Sequence, residues 1–232
     1  MVTKNHLIYD ILNSVRGGKI SDDELISKRQ VGFWVDSTRA LLIKRELDKG
    51  GSIDPSYIQS LGCVPVDYID ASDCPCVLAG CEVLRTVNPL PITIQSRKKP
   101  ILTRVGPVDI TKPAFSVIEY ARAPYATSNR WTKDRVYAFI HNRHVYIIGD
   151  NLSRFLSYIN VQGIFAFPED AAGYEMCDTG NTCYTDDSEY PISAELIQPL
   201  KDIIMEKNLR VAANSPTDTQ GDGKHEINRN EG

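Results

Sequence analysis

The stretch DRVYAFIHNRHVYIIGD, residues 134–150, most constrains what this chain can fold into. Two runs of β-branched and aromatic residues flank the four residues His141, Asn142, Arg143 and His144. Asparagine tolerates the positive φ that tight hairpin turns require, so this arrangement predicts an antiparallel hairpin. The two histidines at its tip have no carboxylate cluster beside them, and we expect solvated loop residues there and not a metal pair.

Other segments share this β-rich character and are punctuated by proline and glycine, as short antiparallel strands joined by loops would be. They are CVPVDYID, CEVLRTV, ILTRVGPVDI and FSVIEYAR, followed by YINVQGIFAFPED, which runs into a proline-initiated turn. Residues 63–170 are therefore predicted to form an antiparallel β-rich domain. The order of its strands does not follow from their existence.

Residues 1–62 are predicted to form an N-terminal helical region. Apolar residues from Leu7 to Val15 recur at helical spacing and are followed by Gly17-Gly18, which predicts a short first helix. SIDPSYIQSLG reads as a two-turn helix, with Pro55 at its first position and Gly62 at its end.

Between these two lies the longest predicted helix, of roughly seven turns at 3.6 residues each. It should begin at a capping box formed by Ser21 and Glu24 and end at Gly50-Gly51. Its apolar residues are spread more broadly than the single stripe of a helix packed on one side. Either the whole helix fills the core or part of it is buried against another subunit. The residues predicted for such a subunit interface are Phe33, Trp34, Leu41 and Leu42.

The C-terminal third divides into a surface loop, 171–192, a helix, 193–210, and an extended polar tail, 211–232. The helix SAELIQPLKDIIMEKNL should kink or restart at Pro199. The tail has almost nothing to bury, so it should be ordered only by a partner. The whole chain is thus predicted to be α+β: N-terminal helices, one of them long, then an antiparallel β-rich middle domain, a C-terminal helix and the tail.

Cysteine and carboxylate clusters could in principle hold a metal. Cys74, Cys76 and Cys81 in DCPCVLAGC have the spacing C-x-C-x4-C, and Cys177 and Cys183 the spacing C-x5-C, neither of which matches common zinc modules. We expect these thiols to act as small buried hydrophobic groups, with a cysteine-based metal-binding protein or enzyme as an alternative. Asp178, Asp186, Asp187 and Glu189 lack the ladder of a calcium loop and are predicted to be solvated.

Catalytic templates are missing as well. The sequence has no GxGxxG after a strand, no GxxxxGK[ST], no GxSxG and no HExxH, so we expect neither an enzyme nor a cofactor. A net charge of -4 argues against a protein whose main task is binding nucleic acid. No stretch has the apolar core of a signal peptide or the length of a membrane span, and we expect a protein made in a cytoplasm.

Whole segments of the chain resemble a known family. They are residues 7–66, LRTVNPLPITI, LTRVGPVDI, VYAFIHNRHVYIIG and INVQGIFAFPED, in that order. Together they are similar to virion structural proteins of crAss-like bacteriophages and related short-tailed phages. Within that group they most resemble the head-to-tail connector ring nearest the portal.

This resemblance implies a structural adaptor. Copies of such a protein, about twelve, close into a ring below the portal, continue the DNA channel and support the next tail ring or hub protein. It implies a virion protein at the head-to-tail interface, assembled in the bacterial host cytoplasm, which takes part in genome ejection and contacts no membrane. A C-terminal extension would reach the portal or a neighbour, here through Leu209, Val211 or Ile227. A more distal tail ring or a stopper is the alternative within the same virion.

DNA should pass through such a ring without sequence-specific binding. Carboxylates lining the channel would repel phosphates and prevent the DNA from sticking. Glu119, Asp134 and Asp150 are the candidates near strand ends.

Overall fold

The computed structural model describes residues 2–16, 26–69, 83–96, 99–126, 135–149 and 156–209. These residues have an α+β architecture, in which helices pack against a curled, mostly antiparallel sheet. The helices are α1 (Lys4–Arg16), α2 (Lys28–Asp48), α3 (Ala123–Ala126) and α4 (Ala194–Ile203). The strands are β1 (Gln59–Ser60), β2 (Val64–Ile69), β3 (Val83–Thr86), β4 (Gln95–Ser96), β5 (Lys99–Pro100), β6 (Leu102–Pro107), β7 (Ser116–Val117), β8 (Tyr137–His141), β9 (His144–Ile148) and β10 (Tyr158–Gly163).

The sheet curls until its two ends approach each other. Its strands follow the order β1-β10-β2-β3-β9-β8-β7, and β6 also pairs with β10. All of these pairs are antiparallel except β7 with β8. The amide of Phe115, just before β7, donates to the Val105 oxygen on β6 at 2.7 Å. This hydrogen bond joins opposite ends of the sheet, and β4 and β5 form a separate small hairpin.

The predicted hairpin is confirmed as β8 and β9. Asn142 and Arg143 both have positive φ, 48° and 65°, as a two-residue hairpin turn requires. The histidines are not solvated loop residues, however, because His141 pairs with His144 and both are half-buried. The His144 Nδ1 atom lies 2.8 Å from the Thr86 backbone oxygen, and the His141 ring stacks on Tyr120 at 4.4 Å.

Helix α2 begins later than the sequence analysis predicted. The Ser27 hydroxyl accepts a hydrogen bond from the Gln30 amide at 3.2 Å and caps the helix. Ser27 and Gln30 themselves form a capping-box sequence, whereas Ser21, Glu24 and Gly17-Gly18 lie outside the described residues. The helix has 21 residues, about one turn fewer than expected. Its predicted end is confirmed, since Gly50 follows it with a φ of 89°.

Two further predictions need correction. The segment after Pro55 forms only a 3₁₀ turn, Pro55–Tyr57, because the chain then leaves to pair β1 with β10. FSVIEYAR gives a strand of two residues, β7, and then a 3₁₀ turn. There the chain crosses the sheet and places Ile118 and Ala123 against the aromatic pair of Phe139 and Tyr146.

At the C-terminus, α4 continues through Pro199 and passes into a π-helical turn, Ile204–Leu209. The main core lies between the helices and the sheet, and it joins residues from α1, α2, the strands and α4. A smaller cluster of Ile43, Leu47, Tyr57, Ile94 and Ile164 packs the second half of α2 against the sheet.

A disulfide joins Cys63, at the start of β2, to Cys177, and their Cα atoms are 5.1 Å apart. The expectation that Cys177 is a free buried thiol is therefore wrong. Cys183 is free and half-buried, and burial raises the pKa of its thiol. Cys74, Cys76 and Cys81 lie outside the described residues.

Gly62, next to this disulfide, packs closely against the backbone of Glu175. It has a φ of 47°, and a Cβ there would overlap the backbone oxygen of Glu175. Gly62→Ala should therefore lower the free energy of unfolding by about 1–3 kcal/mol in urea titrations. Gly173→Ala is the matched control, because nothing lies within 4 Å of a Cβ there. Equal stability of both variants would contradict this packing.

Candidate subunit interface

Helix α2 presents an outward stripe of residues that are only partly covered by the rest of the described chain. Gln30, Phe33, Ser37, Leu41, Lys44 and Asp48 follow one another at spacings of three or four residues and are exposed or half-buried. Phe33 is 59% exposed and Leu41 is 39% exposed. Two large apolar side chains exposed on the same helix face make this face a candidate surface for a partner. We call these six residues the α2 stripe.

The structure separates the four residues predicted for a subunit interface into two pairs. Phe33 and Leu41 lie on the α2 stripe, whereas Trp34 and Leu42 are half-buried and pack against the main core. Core packing therefore accounts for Trp34 and Leu42, and Phe33 and Leu41 remain the candidates for a contact between subunits. The Phe33 ring also stacks on Phe167 at a centroid distance of 6.2 Å, which holds it in place.

The residues predicted for a portal contact lie apart from this stripe. Leu209 closes the π-helical turn and is 8% exposed within the main core. A portal contact through Leu209 would require this turn to leave the core. Val211 and Ile227 lie outside the described residues.

A buried ionic cluster fixes α2 against α1 and the C-terminal segment. The Lys4 ammonium on α1 donates to the Asp36 carboxylate at 2.7 Å, and it also pairs with Glu169. The Tyr190 hydroxyl donates to the other Asp36 oxygen at 2.8 Å. Burial opposes the charged form of Lys4, but hydrogen bonds to Asp36 and Glu169 outweigh it and raise the pKa of Lys4.

Arg39 continues this cluster one turn along α2. Its guanidinium is fully buried and donates to the backbone oxygens of Pro191, at 2.5 Å, and Phe165, at 2.8 Å. Its charge lies 5.7 Å from the centre of the Tyr190 ring. The pKa of the Tyr190 hydroxyl is raised, chiefly by burial and then by the Asp36 charge. Arg39 thus connects α2 to two loops at once and keeps the α2 stripe facing outward.

Sequence reasoning missed this cluster, although a signal was present. Asp36 and Arg39 lie on the same helical face as Val35 and Ile43, which are apolar and fully buried. Charged residues on an otherwise apolar helix face are almost never buried unless they are paired. Their partners are 32 to 154 residues away in the sequence, so spacing alone could not identify them.

A second surface is acidic. The carboxylates of Glu175, Asp178, Asp186, Asp187 and Glu189 are all exposed, and no lysine, arginine or histidine occurs between residues 156 and 200. We call residues 175–189 the acidic segment. Buried Tyr184 and the Cys63–Cys177 disulfide attach it to the fold. Across residues 2–209 with the stated gaps, no trio of His, Cys, Asp or Glu is arranged to hold a metal ion.

A cleft of about 580 Å³ lies between the β4–β5 hairpin and β7. Lys99 and Glu119 form an ion pair of 2.6 Å there, and this pair lowers the pKa of Glu119. Glu119 is thus a paired carboxylate in the isolated chain, while Asp134 and Asp150, the other lumen candidates, lie outside the described residues. No helix in the described ranges is both long and apolar enough to cross a bilayer.

Comparison with known proteins supplies a family. Residues 6–227 match the model of the phage tail ring protein 2 family, CrAss_Ring_2. The chain is also 27% identical over 231 residues to ring protein 2 of Bacteroides phage crAss001. This alignment covers 97% of the chain and 98% of that protein. Both matches include the segment that forms the α2 stripe.

Proposed function

The chain belongs to the phage tail ring protein 2 family of crAss-like phages, and from this premise we propose that its copies close into a ring that joins the portal to the tail. It is a structural ring protein of a phage virion. The observation that carries the ring is the match over nearly the whole chain. The exposed apolar residues of the α2 stripe supply a surface through which neighbouring copies can meet.

A ring of identical copies requires two different faces on each copy. Its contacts are heterologous, so one face of a subunit binds a second, different face of the next, and rotation closes the ring. Phe33 and Leu41 belong to the first face, and their burial between copies would favour assembly. Trp34 and Leu42 support them from the core side of the same helix. We expect about twelve copies, as the resemblance to connector rings implies.

The ring lies next to the portal in this proposal and continues the DNA channel toward the next tail ring or hub protein. The chain would be assembled in the host cytoplasm and act in genome ejection at the head-to-tail interface. Contact with the portal would use the C-terminal region of Leu209, Val211 and Ile227. The alternative is a more distal ring or a stopper, because the family description names the tail and no neighbour.

DNA is proposed to pass this ring without sequence-specific binding. A net charge of -4 would disfavour binding of phosphates along a channel. The chain acts in this proposal as a structural element and not as an enzyme. The alternative of a cysteine-based metal site has one candidate ligand fewer, because Cys177 is bonded to Cys63.

The double variant Phe33→Ser/Leu41→Ser tests the first face. Full burial of a large apolar side chain contributes about 1.5–3 kcal/mol. Phe33 and Leu41 are 59% and 39% exposed, so together they can bury about one such side chain more, and removing both should weaken each junction by roughly ten- to a hundredfold. Native mass spectrometry of the protein, alone and mixed with a portal ring, should then show monomers where the original sequence gives rings.

Tyr125→Ser is the matched control, because Tyr125 is 76% exposed on α3, outside the α2 stripe. It should assemble normally, and all proteins should keep their melting temperatures within a few degrees. Rings that form unchanged from the double variant would exclude Phe33 and Leu41 from the junction.

A further inference from the structure

We propose that the α2 stripe of one copy docks on the acidic segment of the next copy, so that these two surfaces form the subunit junction of the ring. This inference rests on the proposed function, which supplies the ring but names only one of the two faces. Charge, apolar content and rigidity each support it.

The charges on α2 complement those of the acidic segment. Lys28, Arg29, Lys44, Arg45 and Lys49 are all exposed on or beside this helix. The carboxylates of α2 are mostly occupied within the fold, since Asp36 is buried with Lys4 and Glu46 accepts from the Tyr57 hydroxyl at 2.6 Å. Asp48, on the α2 stripe, is an exposed carboxylate that accepts from the Ser96 hydroxyl at 3.0 Å, so the exposed charges of α2 are mostly but not all basic. Lys28 is engaged with Tyr9 on α1, so Lys44 on the α2 stripe and Arg29 and Arg45 beside it are the cations that would meet the exposed carboxylates of the acidic segment.

The apolar residues favour a protein partner over nucleic acid. Phe33 and Leu41 lie among the cations of α2, where a phosphate backbone would leave them without contacts. The acidic segment offers Met176, which is 42% exposed among its carboxylates. Methionine adapts its shape to the surface it meets and forms favourable contacts with aromatic rings such as that of Phe33. An apolar centre surrounded by charged groups is the usual anatomy of a protein interface.

The acidic segment is already ordered in the isolated chain. The disulfide fixes Cys177, the Cys183 amide donates to the Tyr174 oxygen at 2.8 Å, and the Asn5 side chain donates to Asp187 at 2.7 Å. Helix α2, which carries the stripe, is held from its buried side by the Lys4–Asp36 pair and by the hydrogen bonds of Arg39. Two rigid surfaces lose little conformational freedom when they meet, which favours association.

A charge exchange tests this junction. The first variant, Arg29→Glu/Lys44→Glu/Arg45→Glu, makes the α2 surface acidic. The second, Asp178→Lys/Asp186→Lys/Glu189→Lys, makes the acidic segment basic. Either variant alone would place like charges at every junction, and no ring should form even at about a hundred times the concentration at which the original sequence assembles.

An equal mixture of the two variants should restore assembly. Each acidic α2 surface then faces a basic segment on the other variant, and each native α2 surface faces a native acidic segment. Native mass spectrometry should show rings in which the two chains alternate. The control Lys112→Glu/Arg122→Glu/Lys207→Glu changes the net charge by the same amount as the first variant. It alters exposed positions elsewhere and should assemble like the original sequence.

The outcomes separate this inference from the function on which it rests. If the original sequence forms rings and either variant alone still does so, or if the mixture stays dissociated, the junction lies elsewhere and only this inference is overturned. The same holds if α2 instead contacts a different virion protein, because charge reversal would then leave the rings intact. If the original sequence forms no ring, alone or with a portal ring, the proposed function is overturned as well.

Discussion

Replacing Asp36 by alanine is expected to lower the free energy of unfolding by about 3–5 kcal/mol. Asp36 is 2% exposed, and its carboxylate accepts from Lys4 at 2.7 Å and from Tyr190 at 2.8 Å. Its removal takes away the buried ionic partner of Lys4 and leaves only the more exposed Glu169 to pair with this ammonium. Arg39, a second buried cation on the same helix, then has no buried carboxylate nearby on α2. Urea unfolding followed by circular dichroism measures the loss directly.

Asp10→Ala is the control for this prediction. Asp10 also pairs with a lysine, Lys201, but both side chains are partly exposed to solvent. Such pairs contribute about 0–1 kcal/mol, so the loss should be several times smaller than for Asp36. Lys4→Met/Asp36→Leu removes both charges and should be more stable than Asp36→Ala. Equal losses from Asp36→Ala and Asp10→Ala would contradict the buried ionic cluster.

The second large effect concerns the disulfide. Cys63 and Cys177 are separated by 114 residues, and the bond restricts the unfolded chain over that whole loop. In the chain-entropy model a loop of this size corresponds to about 4–5 kcal/mol of stability. Cys63→Ala should therefore lower the unfolding midpoint strongly under oxidising conditions, and a thiol reductant should have a comparable effect on the original sequence.

Cys183→Ala supplies the comparison, because Cys183 is a free thiol of the same region. Cys183→Ala removes only the contacts of a half-buried thiol, so its unfolding midpoint should shift far less than that of Cys63→Ala. This midpoint should still fall when reductant is added. Cys63→Ala should no longer respond to reductant. If the original sequence unfolds at the same denaturant concentration with and without reductant, the Cys63–Cys177 bond does not stabilise the fold.

These two features support the surfaces that the ring proposal uses. The buried ionic cluster holds α2 so that its stripe faces outward, and the disulfide holds the acidic segment at the start of β2. Weakening either feature should therefore also weaken assembly. The dependence is indirect, whereas Phe33 and the carboxylates of the acidic segment act at the junction itself.

Local patterns predicted the parts of the fold that local forces decide. The hairpin was predictable because Asn142 takes a positive φ and the flanking residues pair across it. The start of α2 was misplaced because Ser21 with Glu24 and Ser27 with Gln30 are both capping-box sequences. Choosing between them depends on where the helix meets the core, and no single sequence gives that information.

Long-range partners escaped sequence reasoning for a related reason. Lys4 and Asp36 look like ordinary surface charges, and their burial follows from the way α1 crosses α2. Cys63 and Cys177 have no shared motif, so only the fold brings them within bonding distance. The candidate interface was predicted as a helix with four residues, but the structure was needed to place Phe33 and Leu41 outward and Trp34 and Leu42 inward.

Cryo-electron microscopy of the purified phage, with this chain fitted into the region between head and tail, is the direct test of the proposed ring. We expect a closed ring of about twelve copies around the DNA channel. In it, Phe33 and Leu41 of each copy should be buried against the acidic segment of the next. A virion map without density for this chain, or with density for it but no closed ring of copies, would exclude the proposed ring.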